Sequence, residues 1–245
     1  MRLLLLAFLC LASVAPARAL EPLGPPGRPA SAYPPPDRPV AEIISPRWMS
    51  DADRDRANEV GQVARLLGIK PGETVADIGA GAGYYTLRLA PMVGPDGRVL
   101  AQDVTPAYLA ELQRAVASRR LANVSIGLGE AHDPRLPPGS VDVAILIHMY
   151  HEIAQPFGLL DNLGPALTGG GRVGIVDADD IPSRHGTPPA LLRCELAAAG
   201  YRETGFHTLT GGSGYLAIFA APAPDARPDP AAIRPCRDEA TRARR

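Results

Sequence analysis

The chain has 245 residues, a formal net charge of −1 and a hydrophobic content of 46%. That length is enough for one domain with a full core. The near-neutral balance gives no electrostatic case for a nucleic-acid partner.

Taken in chain order, the first signal is at the N-terminus. Arg2 precedes a short apolar run over residues 3–11, and Ala17-Arg18-Ala19 has the A-x-A form of a cleavage site. These three regions predict a signal peptide over 1–19, cleavage after Ala19, and a periplasmic or secreted protein; an unused signal would leave it cytoplasmic. The apolar run is too short to span a bilayer, so no stable membrane span is expected after cleavage. Residues 20–46 are rich in Pro, Gly and Ala, a composition that does not build a core of its own and reads as a Pro-rich linker. Cysteine usage is sparse: Cys10 leaves with the signal, Cys194 reads as core and Cys236 lies in the tail. The last two could pair after export, although their spacing does not demand it.

Ser50 and Asp53 form a helix N-cap pattern, and a helix is expected to run to about Leu67 with Val60, Val63, Leu66 and Leu67 on one face. Strand and helix patterns then alternate. Strands are expected over 74–78, 98–102, 124–127, 141–147 and 172–176. Helices are expected over 84–93, 106–119, 157–167 and 189–199, with Gly169 to Gly171 closing the third. Two last strands, 201–209 and 215–221, are joined by a short Gly-rich linker of hairpin type and should be antiparallel. Five strands alternating with helices predict an α/β, doubly wound parallel sheet. Residues 222–245 read as a disordered tail.

The chemistry gathers where the first strand ends. Asp77 is followed by Gly79, Ala80, Gly81 and Gly83 in the pattern D-x-G-x-G-x-G. Such a turn lets a nucleotide-like ligand approach main chain at the carboxyl edge of a parallel sheet. The dinucleotide fingerprint G-x-G-x-x-G would need glycine at 84, where Tyr84 stands. No Lys or Arg lies in the loop to clamp a phosphate, which argues against ATP or NADP.

This pattern resembles the first motif of the class I S-adenosylmethionine (SAM)-dependent methyltransferases. The resemblance covers about residues 48 to 221, within a domain expected over 47–221. It implies a Rossmann-like sheet of seven strands with the last strand antiparallel, and SAM as cofactor. It also implies roles by position. Asp77 faces the methionine end of SAM, and Gly79, Ala80, Gly81 and Gly83 form the floor. Asp103, at the end of the second strand, accepts hydrogen bonds from the ribose hydroxyls. Glu130 receives the adenine amino group and the Ala131 N–H reaches the ring, with Asp133 as the competing acid.

The fourth strand runs into His148-Met149-Tyr150-His151-Glu152. In the family this segment lines the side where the acceptor meets the methyl group. His148 or His151 could act as base for a hydroxyl or thiol acceptor. His151 is assigned that role, Tyr150 positions the acceptor, and His148 packs against the cofactor. His148, His151, Glu152, Asp177, Asp179 and His185 are metal-ligand types, but their spacing matches no standard zinc motif and no metal is expected. Arg184-His185-Gly186 resembles a histidine phosphatase signature, yet it follows the fifth strand and reads as a loop. With Asp177 to Asp180 and Trp48 it could roof the acceptor pocket.

The expected function is methyl transfer from SAM to an unidentified small-molecule acceptor, with no nucleic-acid partner. Because SAM is made in the cytosol, an exported chain could instead be a non-catalytic protein that keeps a SAM-like pocket. A nicotinamide-dependent oxidoreductase is disfavoured by Tyr84 and by the terminal hairpin.

Overall fold

A computed structural model describes residues 20–43 and 49–237. The proposed signal peptide, Trp48 and the last residues of the tail lie outside the described residues.

The centre is a seven-stranded sheet built from β1 (Thr74–Ile78), β2 (Arg98–Asp103), β3 (Val124–Leu128), β4 (Val141–Ile147), β5 (Leu167–Asp177), β6 (Arg202–Thr208) and β7 (Tyr215–Ala220). Its order is β3-β2-β1-β4-β5-β7-β6. The strands β1 to β5 are mutually parallel, and β7 lies antiparallel between β5 and β6. The expected sheet, with its antiparallel last strand, is therefore the one observed. The helices are α1 (Asp51–Arg56), α2 (Glu59–Leu67), α3 (Thr86–Val93), α4 (Pro106–Arg119), α5 (Pro156–Leu163) and α6 (Pro189–Ala198). Among the described residues, no helix is long and apolar enough to cross a membrane.

Continuous apolar runs in the central strands follow from burial on both faces. Val75, Val143 and Ile145 pack on one side with Val63 and Leu67 of α2 and Leu89 and Val93 of α3. Their alternates Ala76, Ile78, Ala144 and Leu146 pack on the other with Leu160 and Leu163 of α5 and Leu192 and Leu196 of α6. Alternation of successive side chains across the sheet is what divides one run between two layers. Each fully buried Leu, Ile or Val contributes about 1.5–3 kcal/mol relative to exposure.

Three expectations differ from the structure. The helix expected from Ser50 to Leu67 is broken in two, with Asn58 in the left-handed region at φ 50°. The break lets Arg54 of α1 fold back onto Glu59 of α2. Gly169 to Gly171 do not close a helix but lie in the early part of β5, where the register against β4 shifts between Val141 and Val143. The third difference is the two flanking segments.

Residues 20–43, expected as a linker, are strapped along the domain. The Leu128 N–H donates to the Glu21 carbonyl at 3.2 Å. The Gly27 N–H donates to Asp133 Oδ2 at 2.7 Å, and the Tyr33 hydroxyl to Asp161 Oδ2 at 2.6 Å. Arg38 Nε lies 2.9 Å from Glu195 Oε1, both side chains fully buried. Residues 222–237 of the tail are likewise docked. Arg227 pairs with Asp161, Ile233 packs with Tyr33 and Phe157, and Cys236 is disulfide-bonded to Cys194 of α6. Composition describes what a segment can bury by itself. These segments are held by partners distant in sequence, and composition does not report those.

Candidate active site

The carboxyl ends of β1, β2 and β4 open onto a cleft of about 330 Å³. It lies at the switch point of the sheet, where β1 has β2 on one side and β4 on the other. Asp77, Gly79, Ala80, Gly81, Asp103, Glu130, Ala131 and His148, eight of the expected cofactor residues, line it. Gly83 does not, but closes the turn beneath.

The turn after β1 is built as the glycine pattern requires. Gly79, Gly81 and Gly83 all have positive φ. A Cβ on Gly83 would sit 2.3 Å from Leu112 Cδ1 of α4, so this glycine seats the turn on the helix. A Cβ on Gly81 would meet nothing within 4 Å. Its backbone therefore borders open space, where a ligand can touch main chain.

The strand-end acids are held by their own neighbourhoods. Asp103 Oδ2 accepts from the Gly81 N–H at 2.9 Å and Oδ1 from the Thr105 N–H at 2.8 Å. Each oxygen keeps a further lone pair, so capping the turn and receiving two hydroxyls are compatible. Asp77 is buried and accepts from the Thr86 hydroxyl at 2.6 Å. Burial pushes its carboxyl up to about 6, against the opposing pull of Thr86. A cation beside it would restore the charged form. Beside Asp103, Gln102 is also buried in the cleft wall, and its Oε1 has no hydrogen-bond partner. Buried acceptors, an open glycine backbone and a low-lying acid fit a ligand bearing hydroxyls, amines and a positive charge.

Glu130 is exposed and pairs with Arg135 at 2.7 Å. Asp133, the competing acid, is buried, does not line the cleft and is occupied by the Gly27 and Arg135 N–H groups. Its observed work is to anchor the strap.

The other side of the cleft departs from expectation. His148 has φ 53° and lines the cleft, with Nε2 3.4 Å from Glu59 Oε2. Glu59 also receives Arg54 at 2.6 Å and the Tyr85 hydroxyl at 3.0 Å. Burial pushes the His148 imidazole toward its neutral form, against the pull of Glu59. Burial would raise the Glu59 carboxyl, but His148 and Arg54 together hold it well below the usual range. Sequence reading missed this network, because Glu59 looks like an ordinary first-turn acid and only the break at Asn58 turns it inward.

Tyr150 does not face an acceptor. It is fully buried in the core, with the Arg38 guanidinium 5.5 Å from its ring centroid, and lies outside the cleft lining. His151 is also buried and outside the lining. Its Nδ1 is 3.0 Å from both oxygens of Asp177 at the end of β5. The expectations of a positioning Tyr150 and a cleft-facing base at His151 are corrected accordingly. After β4 the chain enters a short 3-10 turn, Tyr150–Glu152, which sends successive side chains in different directions. Glu152 is the member of that turn that reaches the cleft.

Residues 75–171 match the family described as a methyltransferase domain. The chain is 30% identical over 169 residues to an arsenite methyltransferase of Halobacterium salinarum, covering 66% of this chain and 42% of that protein. It is 33% identical over 148 residues to a protein-L-isoaspartate O-methyltransferase of Aeropyrum pernix, covering 55% of this chain and 51% of that one. The chain thus spans about half or less of either relative. A SAM-dependent methyltransferase from Aquifex aeolicus superposes with a TM-score of 0.61 at 23% identity, over 70% of this chain and 98% of that one, and shows the shared fold. Residues 75–171 thus carry a methyltransferase domain, and with its sheet order and glycine turn the chain has the fold of the class I SAM-dependent methyltransferases, whose cofactor is S-adenosylmethionine.

Proposed function

We propose that the protein transfers a methyl group from SAM to a small-molecule acceptor. The observation that carries this reading is Asp103. Its carboxylate is fixed by two backbone N–H groups at the end of β2, beside the open face of Gly81. SAM, when bound, supplies a methyl group on a positively charged sulfur. On this reading Asp103 holds the ribose hydroxyls, Asp77 favours the cationic end, and Glu130 with the Ala131 N–H receives the adenine. Met149, Ile153 and Leu159 give the cleft an apolar wall that excludes water. Rate then comes chiefly from alignment of donor and acceptor. His148 is the imidazole at the cleft, and its neutral form suits proton removal where the acceptor needs it.

A small acceptor is supported by the size of the cleft and the net charge of −1. One relative is named for arsenite, itself a small acceptor. The test is calorimetric titration of the full chain with SAM, S-adenosylhomocysteine and NAD. One-to-one binding of the first two and none of NAD is expected. Binding of NAD alone would overturn the reading.

We also propose that the chain is exported. The signal-like residues 1–19 carry this, and the Cys194–Cys236 disulfide supports it, since such bonds persist in oxidising compartments. Protein recovered from fractionated cells should begin at Leu20 and lie outside the cytoplasm. Intact Met1 on cytosolic protein would reject export.

A further inference from the structure

The residues around His151 form a second centre that methyl transfer does not use. Asp177 is fully buried. It accepts from the Thr187 hydroxyl at 2.7 Å and the Ala178 N–H at 2.9 Å, besides facing His151 Nδ1. A carboxylate so ordered keeps the proton of the neutral imidazole on Nδ1 and aims the Nε2 lone pair the other way. In that direction stands not a donor but another acceptor, Glu152 Oε1, at 3.9 Å. His185, from the loop after β5, closes the group, its ring 5.4 Å from that of His151 and nearly perpendicular to it. The Nδ1 of His185 is buried without a hydrogen-bond partner. One ligand atom from each of His151, Glu152 and His185 lies within 4.8 Å of the others.

We propose that His151, Glu152 and His185 bind a divalent transition cation of the Zn²⁺ type. Two imidazoles and a carboxylate are a donor set suited to such ions, and three protein ligands leave a position open. Bonds of about 2 Å at the tetrahedral angle would set ligand atoms roughly 3.3 Å apart. The present separations therefore need side-chain adjustments of about an ångström. Asp177 is the positioning residue, because it touches His151 and not the ion. A cation resolves the facing of two acceptors and gives the buried His185 nitrogen a partner. Glu152 lines the cleft, so the open position borders the acceptor side and can take a Lewis-basic group of a ligand there. The sequence hid this centre because His185 follows His151 by more than thirty residues, outside any zinc spacing.

The test is titration of the full chain with Zn²⁺, and with Co²⁺ as a spectroscopic probe of imidazole and carboxylate ligation. Saturable one-to-one binding is expected, weakened at least tenfold by His185→Ala and by Glu152→Gln. Asp177→Asn should weaken it about 10–100-fold. S-adenosylhomocysteine binding, measured in parallel on His185→Ala, reports that the fold is intact and keeps the outcome separate from the methyltransferase reading. Absence of stoichiometric binding in the unaltered chain would overturn the proposal. So would an affinity unchanged in both ligand variants.

Discussion

The two sides of the cleft are assembled in different ways. On the β1–β2 side each acid is held by chain close in sequence. Asp77 takes Thr86, nine residues on, and Asp103 takes Thr105 and Gly81, two and twenty-two residues away. On the β4–β5 side the partners come from far apart. His148 meets Glu59 across 89 residues. The strap reaches 113 residues, where Arg38 donates to the His151 carbonyl. One side is a glycine turn and the ends of two adjacent strands, nearby in sequence. The other is a tertiary arrangement that exists only when strap, turn and helices are docked. Loss of docking should therefore damage the second side first.

Breaking the strap gives the largest expected effect. Arg38→Met leaves the Glu195 carboxylate buried without its guanidinium and removes one donor each from the carbonyls of Tyr150 and His151. Removing one partner of a buried pair costs roughly 3–5 kcal/mol. A lower denaturant midpoint should accompany it, and Arg38→Met combined with Glu195→Leu should recover part of the loss. An unchanged midpoint in the single variant would mean that the strap is not part of the folded unit.

Asp103→Ala probes the local side. It removes a charged acceptor from the ribose position and should weaken SAM by about 1.5–3 kcal/mol, or about tenfold to over a hundredfold. Thermal stability measured without ligand should fall far less than for Arg38→Met. Equal SAM affinity in a folded variant would move the ribose site elsewhere.

Asp77 is probed through its pH response. Burial raises its folded value from 3.8 to about 6. Between those values the native protein keeps a proton that the unfolded chain has released. Stability of the unliganded fold therefore declines as pH rises through this window, by roughly 2–3 kcal/mol in all. Cofactor affinity should move the opposite way, rising several-fold from pH 5 to 7 as the carboxyl ionises. The rise should be steeper for SAM, which carries the sulfonium, than for S-adenosylhomocysteine. Asp77→Asn should flatten both curves while stabilising the free protein above pH 6. Parallel pH profiles for the two ligands would detach Asp77 from the sulfonium end.

How much was readable follows the same division. Asp77, Gly79, Ala80 and Gly81 come from one strand and its turn, and Asp103 and Glu130 were assigned through the resemblance; the structure brings all six to one cleft. Tyr150 and His151 were misdirected because three residues of 3-10 turn rotate each side chain away from its neighbour, and residue types alone do not say by how much. Glu59 carried no signal, since a first-turn acid is ordinary on a surface, and His185 was noted as a metal-ligand type but set aside because its spacing matches no zinc motif. The flanking segments were read as linker and tail because composition registers self-burial and not a docking partner.

The sequence by itself determined the alternation of strands and helices, the glycine turn and the acid that follows β2. These depend on backbone propensity, on side-chain alternation and on contacts within a few turns of chain. Tertiary structure alone decided which histidine lines the cleft, which acid anchors the strap, and that His151, Glu152 and His185 meet. Those depend on the register of β4 against β5, the break at Asn58 and the docking of residues 20–43. Such long-range closures are selected by the packing of the whole core, and no short window of sequence contains them.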